Sequence, residues 1–338
     1  MRDEPPQAIA RAARLVQPAL HAAVEAIEDE RMRLVASYQL GWCDADGKRV
    51  SASGGKGMRA TLAVVSAEAG GGEASGGVSP AVAVELVHNF SLLHDDVMDR
   101  DEERRHRPTG WVAFGTAAAI LGGTAMLTAA NEALLRAPDG GTNTLPCLLG
   151  ATQRLISGQS DDLVLENAED VDLDAVLRME AGKTAALLAC AASIGARAVG
   201  AAPAVVEALD GYGHDLGMAF QLVDDVLGIV GDPAVTGKSA SSDVRAGKRS
   251  APIVAAIGAG TDASARLADL LATGPVREDE DVALAAKLIE DAGGIEWASQ
   301  QADAYLDGAL ARLDSVELPE AAARDLAALG RYVVNRDR

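Results

Sequence analysis

Aromatic residues are scarce in this 338-residue chain: three Phe, four Tyr and three Trp make up 3% of it, against 49% apolar residues overall. A core of any size must therefore be aliphatic, and the heavy use of Ala and Leu favours closely packed helices. Positive charge is short as well. Thirty Lys and Arg face fifty Asp and Glu, a net charge of −20, which argues against nucleic acid as a partner and against an anionic membrane surface. Only three cysteines occur, Cys43, Cys147 and Cys190, odd in number and far apart. They form neither a disulfide framework nor a zinc pattern and read as free thiols in a reducing cytoplasm. The opening Arg2, Asp3 and Glu4, followed by two prolines, is no secretory signal. No apolar run is read as reaching the roughly 18 residues that span a bilayer. No β-alternation of useful length, fixed-period repeat or linker is found either. The expectation is a soluble cytoplasmic protein without stable membrane insertion, built as a single all-α domain over residues 1–338.

What is present is helical spacing. Apolar residues recur at three and four from about Pro6 to Tyr38, through Ile9, Ala13, Val16, Leu20, Val24 and Ile27. Asp44 to Gly47 reads as a turn, and the stretch Ser53 to Arg59 opens a helix that ends at Gly70-Gly71-Gly72. Ser79 is the expected N-cap, and Pro80 the first residue, of the next helix. Helical patterns then cover Trp111–Leu135, Leu145–Glu166, Leu173–Val199 and Pro203–Gly228, and three more close the chain, split near Gly274-Pro275. Residues 231–248 are polar and rich in Gly, Ser and Lys. A long polar loop inside a compact fold is usually functional, and this one reads as a lid.

Two acidic pairs organise the chain: Asp95-Asp96 with Asp99, and Asp224-Asp225, each directly after an apolar helical run. Residues three or four apart share a helix face, so Asp95 and Asp99 project together, with His88 about two turns earlier. Like charges at that spacing cost about 0.2–0.5 kcal/mol on an exposed helix, and more in a dry site. A cation belongs between them. Magnesium suits, because it takes hard oxygen ligands, keeps several waters and is commonly shared between carboxylates and substrate phosphates.

In their order along the chain, these residues resemble the trans-isoprenyl diphosphate synthase (polyprenyl synthetase) family, and most closely its actinobacterial geranylgeranyl diphosphate synthases. Gly54-Gly55-Lys56 with Arg59 resembles GGKRxRP, and His88 falls where the family has His or Gln. Asp95 to Asp99, followed by Arg104 to Thr109, resembles DDxxD…RRGxPT. Gly158-Gln159 with Asp162 resembles GQxxD, Gly182-Lys183-Thr184 resembles GKT, and Phe220 to Asp225 resembles FQxxDD. Gly237-Lys238 and Asp243…Gly247-Lys248 resemble the lid.

The resemblance implies an all-α helical bundle of the isoprenoid synthase type with a central active-site cavity. It also implies condensation of isopentenyl diphosphate with an allylic diphosphate, and a homodimer to which the apolar stretch Val112–Leu134 would contribute. Asp95, Asp99 and Asp224 would hold three magnesium ions, and Arg104, Lys183, Lys238 and Lys248 would add positive charge at the allylic diphosphate. Thr184 and Gln221 fall at catalytic positions beside Lys183. Lys56, Arg59, His88 and Arg105 would clamp isopentenyl diphosphate. Phe90, five residues before Asp95, would stop the growing chain, with small Ser91 leaving space beside it; the pattern resembles that of geranylgeranyl-forming enzymes, with farnesyl diphosphate the alternative product. Four positions depart from the family: Gly228 stands where a third Asp is usual, with Asp232 four residues on as an expected substitute; Gly57 and Ala60 replace Arg and Pro; Ser250 replaces Thr.

A terpene cyclase on the same fold would carry a different second metal motif and more aromatics. A phosphohydrolase built on His94-Asp95 would need more histidine ligands than the five His in the chain provide. A non-catalytic subunit would be expected to have lost aspartates that are present here.

Overall fold

The computed structural model describes residues 5–50, 57–138, 141–166, 168, 170–231, 241–272, 274, 276 and 278–335. Two short helices lead in, α1 (Gln7–Glu25) and α2 (Glu30–Gln39). The periodicity that runs unbroken from Pro6 to Tyr38 is thus divided, because the Asp29 carboxylate accepts from Met32 N at 2.9 Å and starts a fresh helix. Then come α3 (Met58–Ala69) and α4 (Val78–Met98). A 3₁₀ turn over Ala74–Gly77 feeds directly into α4, so Ser79 and Pro80 lie inside its first turn, with Gly77 at the cap instead of Ser79.

Helix α5 (Gly110–Phe114) is separated from α6 (Thr116–Leu135) by Gly115, whose φ of +86° no helix accommodates. Next are α7 (Leu145–Leu165), α8 (Leu173–Glu180), a π-turn over Ala181–Ala185, α9 (Ala186–Ala198) and α10 (Pro203–Val230). After the short α11 (Ser242–Ala246), five helices complete the described chain where three patterns were expected: α12 (Ala251–Gly258), α13 (Asp262–Leu271), α14 (Asp279–Asp291), α15 (Gly294–Asp314) and α16 (Glu320–Asn335).

Apart from an isolated antiparallel bridge between Cys43 and Arg49, the departure from all-α among the described residues is a minimal antiparallel hairpin. Glu103–Arg104 pairs with Arg107–Pro108. Its two-residue turn, Arg105-His106, has φ of +53° and +59° at both positions, as the tight hairpin turn requires. His106 stands where the family motif has Gly, so the left-handed backbone is kept without the residue that adopts it most easily.

At the centre, α9 packs between α3 and α10, α4 lies against α3 and α6, and α15 covers α10. Every residue of α9 from Ala186 to Ala196 is buried, as expected of a helix surrounded on all sides. Small residues make this possible. A Cβ on Gly195 would fall 2.0 Å from Ala63 O and 2.7 Å from Ala67 N, and one on Gly213 would fall 2.5 Å from Leu188 O. The helices therefore approach backbone to backbone, leaving little room for large rings; fully buried Tyr212 is accommodated by donating to Leu326 O at 2.7 Å.

One expectation needs correction. Helix α6 is long and apolar enough, by length and composition, to cross a membrane. In the fold its Gly122 and Gly123 side lies against Leu93 and His94 of α4, with Val35 of α2 also on Gly122.

The close approach predicts a contrast between two glycines. Gly195→Ala should cost about 1–3 kcal/mol of stability, since backbone must move to admit the methyl group. Gly150→Ala, whose methyl group would meet only Arg154 Nη1 at 3.7 Å, should be neutral or stabilising by up to about 1 kcal/mol. Urea denaturation of the two variants checks this.

Candidate functional site

Asp95 and Asp96 sit in the last turn of α4, and Asp99 caps it. The carbonyl end of a helix carries partial negative charge, so carboxylates there repel the backbone as well as one another. Burial pushes the Asp95 carboxyl up to about 6, with Asp99 and Asp96 adding to the rise while Lys183 and Arg104 oppose it. Asp99 is raised as well, chiefly by burial, against the pull of Lys183 and Lys248. Its Oδ1 is buried and has no hydrogen-bond partner among the described residues. Asp96 plays a different part: it is 1% exposed and accepts from Arg104 Nε at 2.7 Å.

His94, next to Asp95, turns away from the acids. Its Nε2 lies 3.0 Å from the Ile120 carbonyl oxygen, to which it donates, and the ring lies against Gly123, where a Cβ would come within 2.3 Å. A His94-Asp95 metal dyad is thereby excluded.

Across from α4, a cavity is lined by Asp162, Glu180, Lys183, Gln221, Asp224 and Lys248 among others. Lys183 rides on the π-turn and donates to Asp162 Oδ2 at 2.5 Å. The turn is wedged against α7: a Cβ on Gly158 would lie 2.2 Å from Lys183 N, and one on Gly182 would lie 2.9 Å from Arg154 O. Single π-turns inside helices frequently mark functional sites, and this one aims a lysine that a regular helix would place elsewhere. Thr184 Oγ1 donates to Gln221 Oε1 at 2.7 Å, and Gln221 Nε2 donates to Asp225 Oδ1 at 2.7 Å. Both ends of the Gln221 amide are thus engaged within the protein, fixing the π-turn to α10 and orienting Asp225. Asp225 also accepts from Ala251 N, at 3.3 Å. Burial raises the pKa of both Asp225 and its neighbour Glu180, and Glu180 lies well above the usual carboxylate range.

Asp243 arrives from α11. A Cβ on Gly228 would fall 2.1 Å from its Oδ2, so the buried Asp243 carboxylate occupies the space beside α10 that the family's usual third Asp would enter. Asp232, the substitute expected from sequence, lies outside the described residues, as do Lys56 and Lys238. Lys248 borders the same cavity. Desolvation opposes its charge, but Asp243, Asp162, Asp99 and Asp101 more than offset that and raise its pKa.

A basic patch adjoins the end of α4. Arg59 Nη1 donates to His88 Nε2 at 3.4 Å. Burial, then Arg59, Arg105 and Arg104, hold the His88 pKa well below its usual value, so the ring is a neutral acceptor and not a third cation. Glu85, which sequence reading passed over, is buried here. Burial raises its carboxyl against the influence of Arg59, the Asn89 hydrogen bond and Arg105. Arg104 and Arg105 line one small cavity together with Arg107 and Tyr38; Arg104, placed from sequence with the allylic-side lysines, belongs to this group and is tied to Asp96. Phe90 is 6% exposed, with its ring edge-on to His94 at 5.1 Å, and Ser91 Oγ donates to His88 O at 2.8 Å. Neither residue borders the two cavities.

Among the described residues, no three Asp, Glu, His or Cys side chains converge tightly enough to hold a metal by themselves. Desolvated carboxylates on two facing helices, with an unpartnered Asp99 oxygen, nevertheless fit magnesium, which completes its shell with water and phosphate oxygens.

The sequence profile of the family described as polyprenyl synthetase matches residues 42–289. The chain is 44% identical over 327 residues to the (2E,6E)-farnesyl diphosphate synthase of Mycobacterium tuberculosis (strain ATCC 25618 / H37Rv), covering 95% of this chain and 90% of that protein. It is 41% identical over 323 residues to the geranylgeranyl diphosphate synthase of the same organism, covering 95% and 91%. The crystal structure of a polyprenyl synthetase from Streptomyces coelicolor A3(2) superposes with a TM-score of 0.93 at 45% identity, over 98% of this chain and 100% of that one. A geranylgeranyl pyrophosphate synthase from Corynebacterium glutamicum, solved with isoprenyl diphosphate and magnesium, superposes with a TM-score of 0.82 at 27% identity, over 99% and 100%.

The raised Asp95 carboxyl sets a stability prediction. Folding shifts it from the model-peptide value of 3.8 to about 6, so the folded chain takes up a proton between those values. The metal-free protein therefore loses this stabilisation as pH rises through about 4 to 6. Asp95→Asn should stabilise the metal-free protein at pH 7.5 by on the order of 1–3 kcal/mol, with the difference vanishing near pH 4. Denaturation at the two pH values, in chelator, measures it.

Proposed function

The chain belongs to the polyprenyl synthetase family and is a trans-prenyltransferase, and from that premise we propose that it condenses isopentenyl diphosphate with an allylic diphosphate to give mainly geranylgeranyl diphosphate. The observation that carries this reading is the convergence of α4 and α10, each ending in buried acids, on a cleft that holds Lys183 and Lys248, with the Arg59–His88–Arg105 patch alongside. One face suits a metal-bound diphosphate and the other a diphosphate bound by arginines.

Asp95, Asp99 and Asp224 would hold magnesium, which when bound would supply Lewis-acid neutralisation of the departing diphosphate. Lys183, kept in place by Asp162, adds fixed positive charge as the allylic C–O bond breaks, and Lys248, with Lys238 from the lid sequence, adds to it. Arg59 and Arg105, with Lys56, grip isopentenyl diphosphate so that its double bond meets the allylic carbocation. Neutral His88 holds Arg59 in position. A proton is then lost, taken up by the released diphosphate, and the product is one isoprene unit longer. The aliphatic helices exclude water that would quench the cation. We read the protein as cytoplasmic and the whole chain as one catalytic unit.

Geranylgeranyl diphosphate rests on Phe90, a buried aromatic more than one turn along α4 from Asp95. The 44% identity to a farnesyl diphosphate synthase favours the shorter product. Incubation with isopentenyl diphosphate and each allylic primer, followed by mass spectrometry, decides between them. Phe90→Ala should lengthen the products by one or more isoprene units, because the vacated space admits an apolar tail; an unchanged distribution removes Phe90 from this role. Asp95→Ala, Asp99→Ala and Asp224→Ala should each abolish most magnesium-dependent turnover, with kcat falling more than primer affinity. Wild-type rates in all three would refute the site.

The chain also acts as a homodimer. Ile120 and Leu121 on α6, with Leu149 and Ile156 on α7, are large apolar residues 45–58% exposed, and clusters of such residues mark interaction surfaces. Light scattering should give twice the chain mass at micromolar concentration, and Leu121→Asp with Ile156→Asp should shift it to monomer.

A further inference from the structure

Two cysteines left out of the chemistry above lie side by side. Cys147 is in the first turn of α7 and Cys190 in α9, 43 residues apart in sequence, with their Sγ atoms 3.5 Å apart. Both are free thiols. Their surroundings differ in a way that assigns roles. Cys190 is fully buried, whereas Cys147 keeps partial exposure, and a surface depression is lined by Asn143, four residues before Cys147, together with Arg197 and Asp210. Ser193 Oγ lies 3.9 Å from Cys147 Sγ and donates to Asp210 Oδ1 at 3.0 Å. The close contact with the Cys190 thiol, helped by the positive charge of Arg197, lowers the Cys147 thiol against the opposing effect of burial. The same contact, and then burial, raises Cys190. A partly exposed, acidified thiol beside a buried second thiol is the arrangement of a peroxide-reactive cysteine with its resolving partner. Cys43 has no such partner, and burial raises its thiol.

We propose that Cys147 and Cys190 form a reversible disulfide on exposure to hydrogen peroxide, a modification site separate from the prenyl-transfer residues. The Cys147 thiolate attacks one peroxide oxygen, the O–O bond breaks, hydroxide leaves, and Cys147 becomes a sulfenic acid. The Cys190 sulfur then attacks the Cys147 sulfur, the S–O bond breaks, and the hydroxyl departs as water with the Cys190 proton. Overall, two thiols lose two electrons and peroxide is reduced to two waters. An S–S bond is about 2.05 Å long, so the sulfurs close by about 1.5 Å. The link would staple α7 to α9 beyond the point where Gly158 meets Lys183, closing a loop that contains both.

The test is treatment of the full-length protein with a small excess of hydrogen peroxide, followed by intact-mass measurement and peptide mapping. The expected result is a loss of about 2 Da, a single Cys147–Cys190 cross-linked peptide, and full reversal by dithiothreitol. Cys43→Ser should behave as wild type. Cys190→Ser should show no 2 Da loss and should instead accumulate a Cys147 sulfenic acid that dimedone captures. The oxidised wild type should unfold several degrees above the reduced form. Oxidation confined to sulfinic acid, cross-links only between chains, or Cys147 alkylation no faster than that of Cys43 would each overturn the proposal.

Discussion

Asp95, Asp99, Asp162 and Asp243 gather round two lysines, Lys183 and Lys248, and much of the surrounding structure fixes where those lysines stand. Charges in a partly dry cleft interact far more strongly than in water, so a small displacement of Lys183 would weaken its hold on both Asp95 and Asp99. Lys183 cannot drift. Its backbone is wedged against Gly158, its ammonium is tied to Asp162, and the residue after it is bonded to Gln221, which in turn holds Asp225. Reach across the cleft thus comes from a helical irregularity stiffened on three sides. The acids remain desolvated enough to favour a multivalent cation and are kept from collapsing onto one another.

Close helix packing serves the same end. Gly195 and Gly213 bring α3, α9 and α10 together backbone to backbone, which leaves those helices little freedom to tilt. The acids of α10 and the lysine ahead of α9 inherit that rigidity, and geometry held by main chain is less easily lost than geometry held by long side chains.

Much of this was legible in the sequence because the signals were local. Apolar residues at helical spacing, scarce aromatics and two acid pairs after apolar runs need no knowledge of neighbours. What escaped depends on contacts distant in sequence. The π-turn at Ala181–Ala185 has no compositional mark; it follows from glycines on two segments, Gly158 and Gly182, meeting. The Arg105-His106 turn lacks the Asn-Gly or Gly residues that announce positive φ, so nothing local in the sequence marks the hairpin. Glu85 and Glu180 look like ordinary helix glutamates until burial is known. Arg104 was assigned by motif position, and the structure adds what the motif does not show, its bond to Asp96 eight residues back in the last turn of α4. The helix ends at Asp29 and Gly115 are local signals after all, a capping carboxylate and a glycine, overridden by periodicity that continues on both sides.

Gly228 and Asp243 illustrate how one position can fix the choices open to another. The carboxylate carried by the lid helix fills the volume beside α10 that any side chain at 228 would need. With the lid helix in this position, a side chain at 228 would run into that carboxylate, and an acid there would also bring like charges into contact, so Gly228→Asp requires the lid helix to shift. Glycine at 228 is thus what lets the lid helix seat its carboxylate against α10, a contact between positions fifteen apart in the chain.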